Sequence, residues 1–219
     1  MNIQPVVYAF IDSQNLNLGV RNDVANKEGK LVYEGKKLDY RRFRHYLREK
    51  YSVKRAYIFI GFMPANNKLY SALQDSGFTL VFKTVALYTD INGNEIPKGN
   101  VDTDLVLHAA AVEFDNYDKA VFVSGDGDFL SLYQFMESKG KLLRIIVPNR
   151  HRYSRLLNAF RGKLAFVSDL PELFKRQNAT KKTRSSGRIT SLGQPGHGDK
   201  HMLAKNIKKI NVNNREISK

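Results

Sequence analysis

The chain has 219 residues, room for one substantial α/β domain plus an appendage. With 42% hydrophobic residues it can bury a core, and with no cysteine it has neither disulfides nor thiolate metal sites. Its formal charge of +15 points to a polyanionic partner, and also serves plain solubility; residues 171–219 alone carry twelve Lys and Arg against three Asp and Glu. The start, MNIQPVVYAFID, lacks the basic head and apolar run of a signal peptide, and no stretch approaches the ~20 apolar residues of a membrane span. The expected compartment is the cytoplasm, with no membrane partner.

Residues 6–12 (VVYAFID) have the unbroken apolar pattern of a buried strand. Residues 15–19 follow as a polar loop, and 21–37, rich in charge and glycine, as an insertion with a small hairpin. Residues 39–50 form a helix with Phe43 and Leu47 on one face and arginines on the other. Residues 53–60 make a second strand, 65–75 a helix stopped by Gly77, and 78–82 a third strand. DINGN within 87–97 signals a turn and so a hairpin. A helix over 103–114, with Leu105, His108, Ala109 and Val112 at helical spacing, precedes a strand over 120–123. A helix over 129–138, a strand over 142–147, a short helix over 154–160 and a strand over 164–167 complete the pattern.

This alternation predicts an α/β domain with a mostly parallel sheet and helices on both faces. Periodicity collapses after about residue 175, where Lys, Ser, Gly and Thr leave little to bury and disorder is expected. The expected division is a domain over 1–172 and a basic, flexible tail over 173–219.

Sites in such folds lie beyond the carboxyl ends of strands, and carboxylates stand there. Asp12 ends the first strand, with Asn15 just past it. Asp126 and Asp128 follow the fourth strand in SGDGDF, and Asp102 and Asp104 open the helix after the hairpin. If the first and fourth strands are neighbours, Asp12 and Asp126 meet above the sheet. Facing carboxylates repel in a poorly solvated cleft, and Mg²⁺ or Mn²⁺ relieves that repulsion, activates water and steadies a phosphoryl oxygen. The plain alternatives are helix capping for Asp102, Asp104 and Asp128, and loop support for Asn15, Ser13 and Ser124. Gly125 and Gly127 suit the turn that presents the two acids.

Three segments, YAFIDSQNLNLG at 8–19, PKGNVDTDLVLHA at 97–109 and VFVSGDGDFLSL at 121–132, resemble in order and spacing the NYN domains of the PIN-like nuclease superfamily, specifically their LabA-like group. The resemblance covers roughly residues 5–170. It implies a three-layer α/β/α (Rossmannoid) domain with a central parallel sheet, an acidic pocket for Mg²⁺ or Mn²⁺, and activity on RNA. Carried over by motif, Asp12, Asp102, Asp126 and Asp128 are the catalytic metal-binding acids, and Asn15 the polar residue after the first strand. Ser13 stands where glycine is common, and Asn100 alters the usual KGVD, which bears on the placement of Asp102.

Lys98 adjoins the acidic helix entry. Arg150, Arg152 and Arg155 follow the fifth strand in VPNRHRYSR, interleaved with His151 and Tyr153, a pattern for phosphate contact and base stacking or for a charged helix entry. Lys181, Lys182 and Arg184 give the tail a positive field for RNA. Arg41, Arg42, Arg44 and Arg48 line a solvated helix face or a second contact patch. His197 and His201 sit in a segment too poor in structure for a metal site.

The function expected is metal-dependent hydrolysis of RNA phosphodiester bonds by water, without a covalent intermediate. The alternative is an RNA-binding regulatory module with weak or no catalysis. A small-phosphoester phosphatase leaves the tail without purpose, and a dinucleotide oxidoreductase lacks the glycine-rich turn after the first strand. RNA is favoured over DNA by the resemblance alone, and no feature points to a homodimer.

Overall fold

A computed structural model describes residues 4–175, except 84–85, 90–94 and 99–100; for residues 86–89 and 95–98 it describes the backbone only. Six parallel strands form the sheet: β1 (Val7–Asp12), β4 (Val53–Gly61), β5 (Thr79–Lys83), β8 (Lys119–Val123), β9 (Leu142–Val147) and β10 (Leu164–Phe166), in the order β10-β9-β8-β1-β4-β5. Two short antiparallel pairs stand apart, β2 (Val24–Ala25) with β3 (Leu31–Tyr33), and β6 (Ala86–Thr89) with β7 (Glu95–Lys98). They match the two hairpins expected from the glycine-rich and DINGN segments; the turn of the second lies outside the described residues.

Strand β1 is buried along its whole length, because both faces of the sheet are covered. Alternation divides its side chains. Val7, Ala9 and Ile11 enter one core with Leu16 and Val20 of α1 (Ser13–Arg21), Phe43 and Leu47 of α2 (Tyr40–Tyr51) and Leu73 of α3 (Asn67–Asp75). Tyr8 and Phe10 enter the other with Leu105 of α4 (Asp102–Leu107) and Leu132, Tyr133 and Met136 of α5 (Leu130–Ser138). The result is three layers. Phe10 anchors the second core, with ring centroids 5.8 Å from Tyr57, 5.4 Å from Tyr117 and 5.6 Å from Phe122.

Two local expectations fail for physical reasons. Residues 15–19 are helical rather than a loop: Asp12 caps α1 by accepting the Asn15 N–H, and Leu16 and Val20, one turn apart, are buried. Gly19 is required there, since a Cβ would lie 2.5 Å from Pro148 Cβ. The helix expected over 103–114 widens after Leu107 into a π-helical stretch, His108–Val112, in which Glu113 N–H reaches the His108 carbonyl. Ala109 remains fully buried and its carbonyl accepts the Tyr117 hydroxyl, while Val112 is turned out.

Packing continues through Leu173 and Phe174. Both are buried, Phe174 bridges Leu38, and the Lys175 N–H donates to the Lys37 carbonyl. The chain leaves β1 toward β4 on one side and later returns to place β8 on the other. The carboxyl ends of β1 and β8 therefore flank the switch point, where such sheets open a crevice.

Candidate active site

Asp12 ends β1 on the parity that faces α4 and α5, and is only 4% exposed. Its Oδ1 accepts the Asn15 N–H at 3.0 Å and its Oδ2 the Ser124 hydroxyl at 3.2 Å. Ser124 Oγ in turn accepts the Asp126 N–H at 3.2 Å. One buried hydroxyl thus joins the ends of the two central strands. Asn15 Oδ1 accepts the Gly125 N–H at 2.8 Å, a second tie between α1 and the loop after β8.

The loop itself is tightly seated. Asp126 Oδ1 accepts the Asp128 N–H at 3.0 Å, capping the 3-10 turn Gly127–Phe129. A Cβ on Gly127 would collide with Ser154 Oγ and lie 2.9 Å from Ser154 Cβ. The Ser154 N–H donates to the Gly125 carbonyl. Buried Asn149 ties the segment after β9 to α1, with Nδ2 donating to the Gly19 carbonyl and Oδ1 accepting the His151 N–H.

Asp102, the first residue of α4, stands opposite. Burial pushes the Asp12 carboxyl above its ordinary value, and the charge of Asp102 pushes it the same way, against the hydrogen bonds from Asn15, Ser124 and Gln14. Below them Tyr133 is buried, and its phenol is pushed up by burial first and then by the charges of Asp12, Asp126 and Asp102. Three carboxylates therefore act on one point of the core. Asp12, Asn15, Asp102, Asp126 and Asp128 all line one open cleft of about 810 Å³.

The other expected residues divide. Arg152 lines the cleft with His151 and Tyr153. Arg150 does not line it: its guanidinium bonds both oxygens of Asp169 and lies 4.3 Å over the Phe166 ring. Arg155 is exposed at the start of the following 3-10 segment, outside the cleft lining. Asp104 is held by Lys83 at 3.0 Å, also away from the lining. The side chain of Lys98, and Lys181, Lys182, Arg184, His197 and His201 altogether, lie outside the described residues. Sequence reasoning missed Tyr133 and Asn149. The first is hidden in an apolar helical stripe; the second sits just past β9, where strand-end polarity was a usable signal.

The four acids lining the cleft offer carboxylate oxygens, the donors taken by hard divalent cations, and the mutual repulsion of Asp12 and Asp102 is what such a cation relieves. Among the described residues no three His, Cys, Asp or Glu side chains converge closely enough to hold a metal ion by themselves.

The NYN domain family model matches residues 7–164, which span the five sheet strands from β1 to β9 and both acid-bearing loops and end at the first residue of β10. The chain belongs to the NYN domain family. This PIN-like nuclease family frames the cleft as that of a nuclease-like protein. A crystal structure of a protein of unknown function from Vibrio parahaemolyticus RIMD 2210633 is similar in fold, with a TM-score of 0.56 at 20% identity, covering 77% of this chain and 97% of that one. The comparison with curated proteins returned no match. No helix among the described residues of this NYN protein is long and apolar enough to cross a membrane.

Proposed function

We propose that this NYN domain is a metal-dependent ribonuclease of the LabA-like kind, hydrolysing RNA phosphodiester bonds with water. The observation that carries the reading is Asp12: a nearly buried carboxylate, held ionisable by two hydrogen bonds, facing Asp102 in an open cleft at the switch point. A helix cap needs no second acid, and Asp12, which caps α1, also faces Asp102.

Asp12, Asp102, Asp126 and Asp128, which line the same cleft, would hold Mg²⁺ or Mn²⁺. The ion, when bound, supplies a water activated for attack and neutralises charge on the phosphoryl oxygen. Ser124 and Asn15 fix the positions of Asp12 and of the SGDGDF loop, so the acids need not reorganise as substrate arrives. Arg152 meets the backbone of the bound strand. The basic segment 173–219, with Lys181, Lys182 and Arg184, steers RNA toward the domain.

The looseness of the acid set supports one other reading, an RNA-binding regulatory module with weak catalysis. Cleavage of labelled RNA and DNA oligonucleotides with Mn²⁺, Mg²⁺ or EDTA, beside Asp12→Asn, separates the two. RNA cleavage that needs metal and vanishes in the variant supports the nuclease. RNA binding that survives EDTA without turnover in any metal sinks it in favour of the binding module.

A further inference from the structure

Helix α2 carries Arg41, Arg44, His45 and Arg48 on one sector of its surface, turned toward the end of α3. With Ser76 and Gly77 they line a groove of about 320 Å³. A second depression, about 700 Å³, shares Arg44 and Arg48 and adds Lys54. It reaches Val7 and Val53, the first residues of β1 and β4, so the track runs to the end of the sheet opposite the acidic cleft.

Helix stability accounts for Arg48, in the last turn beside Glu49, but not for the rest of this sector. Arg41 lies in the first turn, where the helix dipole disfavours a cation. Arg42, in the same turn, holds the fold together: it bonds the carbonyls of Glu172 and Phe174 and lies 3.7 Å from Asp39. Arg41 and Lys54 are exposed and make no ion pair among the described residues. Arg41 and Arg44, three apart, and Arg44 and Arg48, four apart, are like-charge neighbours that weaken a helix. Arg44 is spent on carbonyls, Gly77 at 2.9 Å, Lys54 at 3.1 Å and Val53 at 3.3 Å, so its charge is fixed in place without an acid to cancel it. Its guanidinium is held below its ordinary value by burial first and then by Arg48, as expected where cations crowd. Glu49, bonded to Arg48 at 2.9 Å, is the single acid lining either groove.

We infer that the α2 face, through Arg41, Arg48 and Lys54 around the fixed charge of Arg44, binds the phosphate backbone of a nucleic-acid strand at a surface separate from the acidic cleft. Cations spaced along both depressions suit a phosphodiester chain, which needs cations at intervals and no apolar pocket. The inference rests on the nucleic-acid reading of the NYN domain and not on catalysis.

The test is equilibrium binding of a labelled oligouridylate in EDTA across a salt series, for full-length protein and for R41A/R48A/K54A. Arg44 is kept, because its three carbonyl bonds hold the strand starts. A control, K27A/K30A/K68A, removes the same charge from exposed lysines outside both grooves. Three lost phosphate contacts at about 0.7 each lower the log–log salt slope by about 2, making the binding deficit about 20-fold larger at about 50 mM than at about 200 mM salt. The control keeps the wild-type slope. Equal slopes in wild type and groove variant, or equal losses in groove variant and control, would overturn the inference. Competition by polyglutamate as strong as by RNA, lost in the same variant, would overturn it in favour of an acidic protein segment. Matching melting temperatures establish that all three proteins fold. Because no turnover is read, a protein that cleaves nothing still decides the question.

Discussion

Ser124→Ala tests the junction between the two central strands. The hydroxyl is 1% exposed, donates to Asp12 Oδ2 and accepts the Asp126 N–H, and alanine keeps the Cβ without new bulk. Hydrogen bonds to ionised groups contribute roughly 1.5–3 kcal/mol, and half-buried Asp126 can turn its N–H to water, so the expected loss is about 2 kcal/mol. In a domain of this size that lowers Tm by about 4–8 °C. The loss carries a pH signature. The Asp12 pKa is raised in the folded protein, by burial first, so its ionised form weakens the fold at neutral pH, and that penalty fades as pH falls through the raised value. Ser124 favours the ionised form, so its removal is felt fully above that value and less below it. Urea denaturation of wild type and variant in EDTA, from neutral pH down into the acid range, reads this directly. Metal-dependent cleavage should also lose its acid limb at higher pH than in wild type. A loss under about 0.5 kcal/mol, equal at every pH, would refute the claim that Ser124 holds Asp12 ionised.

Asp12→Asn abolishes cleavage yet raises the Tm of the metal-free protein at neutral pH, because it removes a carboxylate whose ionised form is disfavoured by burial and by Asp102. Added Mn²⁺ raises the Tm of wild type and leaves the variant unmoved; a variant less stable than wild type in EDTA contradicts the reasoning. Gly127→Ala drives a methyl to within 2.9 Å of Ser154 Cβ, which lowers stability by about 1–3 kcal/mol and separates the SGDGDF loop from the segment after β9. Cleavage should fall more than chemical denaturation alone accounts for, and wild-type turnover in a folded variant counts against the tight seating of that loop. Arg152→Ala weakens RNA binding measurably, whereas Arg150→Ala changes it little and costs under about 1 kcal/mol, since Arg150 is an exposed ion-pair partner of Asp169 outside the cleft. Filter binding with both variants checks the order, and the reverse order would show that the Arg150–Asp169 pair opens to meet RNA.

The sheet was legible because its central strand is buried on both sides. VVYAFID has no alternation to misread, and the one charge that interrupts it, Asp12, marks the site. Helix α1 was not legible: Ser13, Asn15, Asn17 and Gly19 are poor or indifferent helix formers, and what folds them is the Asp12 cap together with two buried side chains, tertiary facts that no local propensity carries. The arginines of NRHRYSR show a similar limit. Arg150 and Arg152 are equivalent as sequence, yet the turn after β9 sends one to Asp169, nineteen residues on, and the other into the cleft.

The pairing of acids was legible only conditionally, since it needed β1 and β8 to be neighbours. Once they are, the register sets Ile11 beside Val123, so Asp12 and Ser124 come next at the same level. The hydrogen bond between them follows from strand order more than from either motif. The same register explains why Asp12 can be both cap and site. As the last strand residue it accepts the Asn15 N–H in the first turn of α1, and as the last residue on the α4 and α5 side it faces Asp102. Helix capping was the alternative reading of Asp102, Asp104 and Asp128 in the sequence, and the structure gives the α1 cap to Asp12. In the folded chain Oδ1 of Asp12 accepts the cap hydrogen bond and Oδ2 the Ser124 hydroxyl, and these fixed bonds keep a buried acid oriented at the cleft.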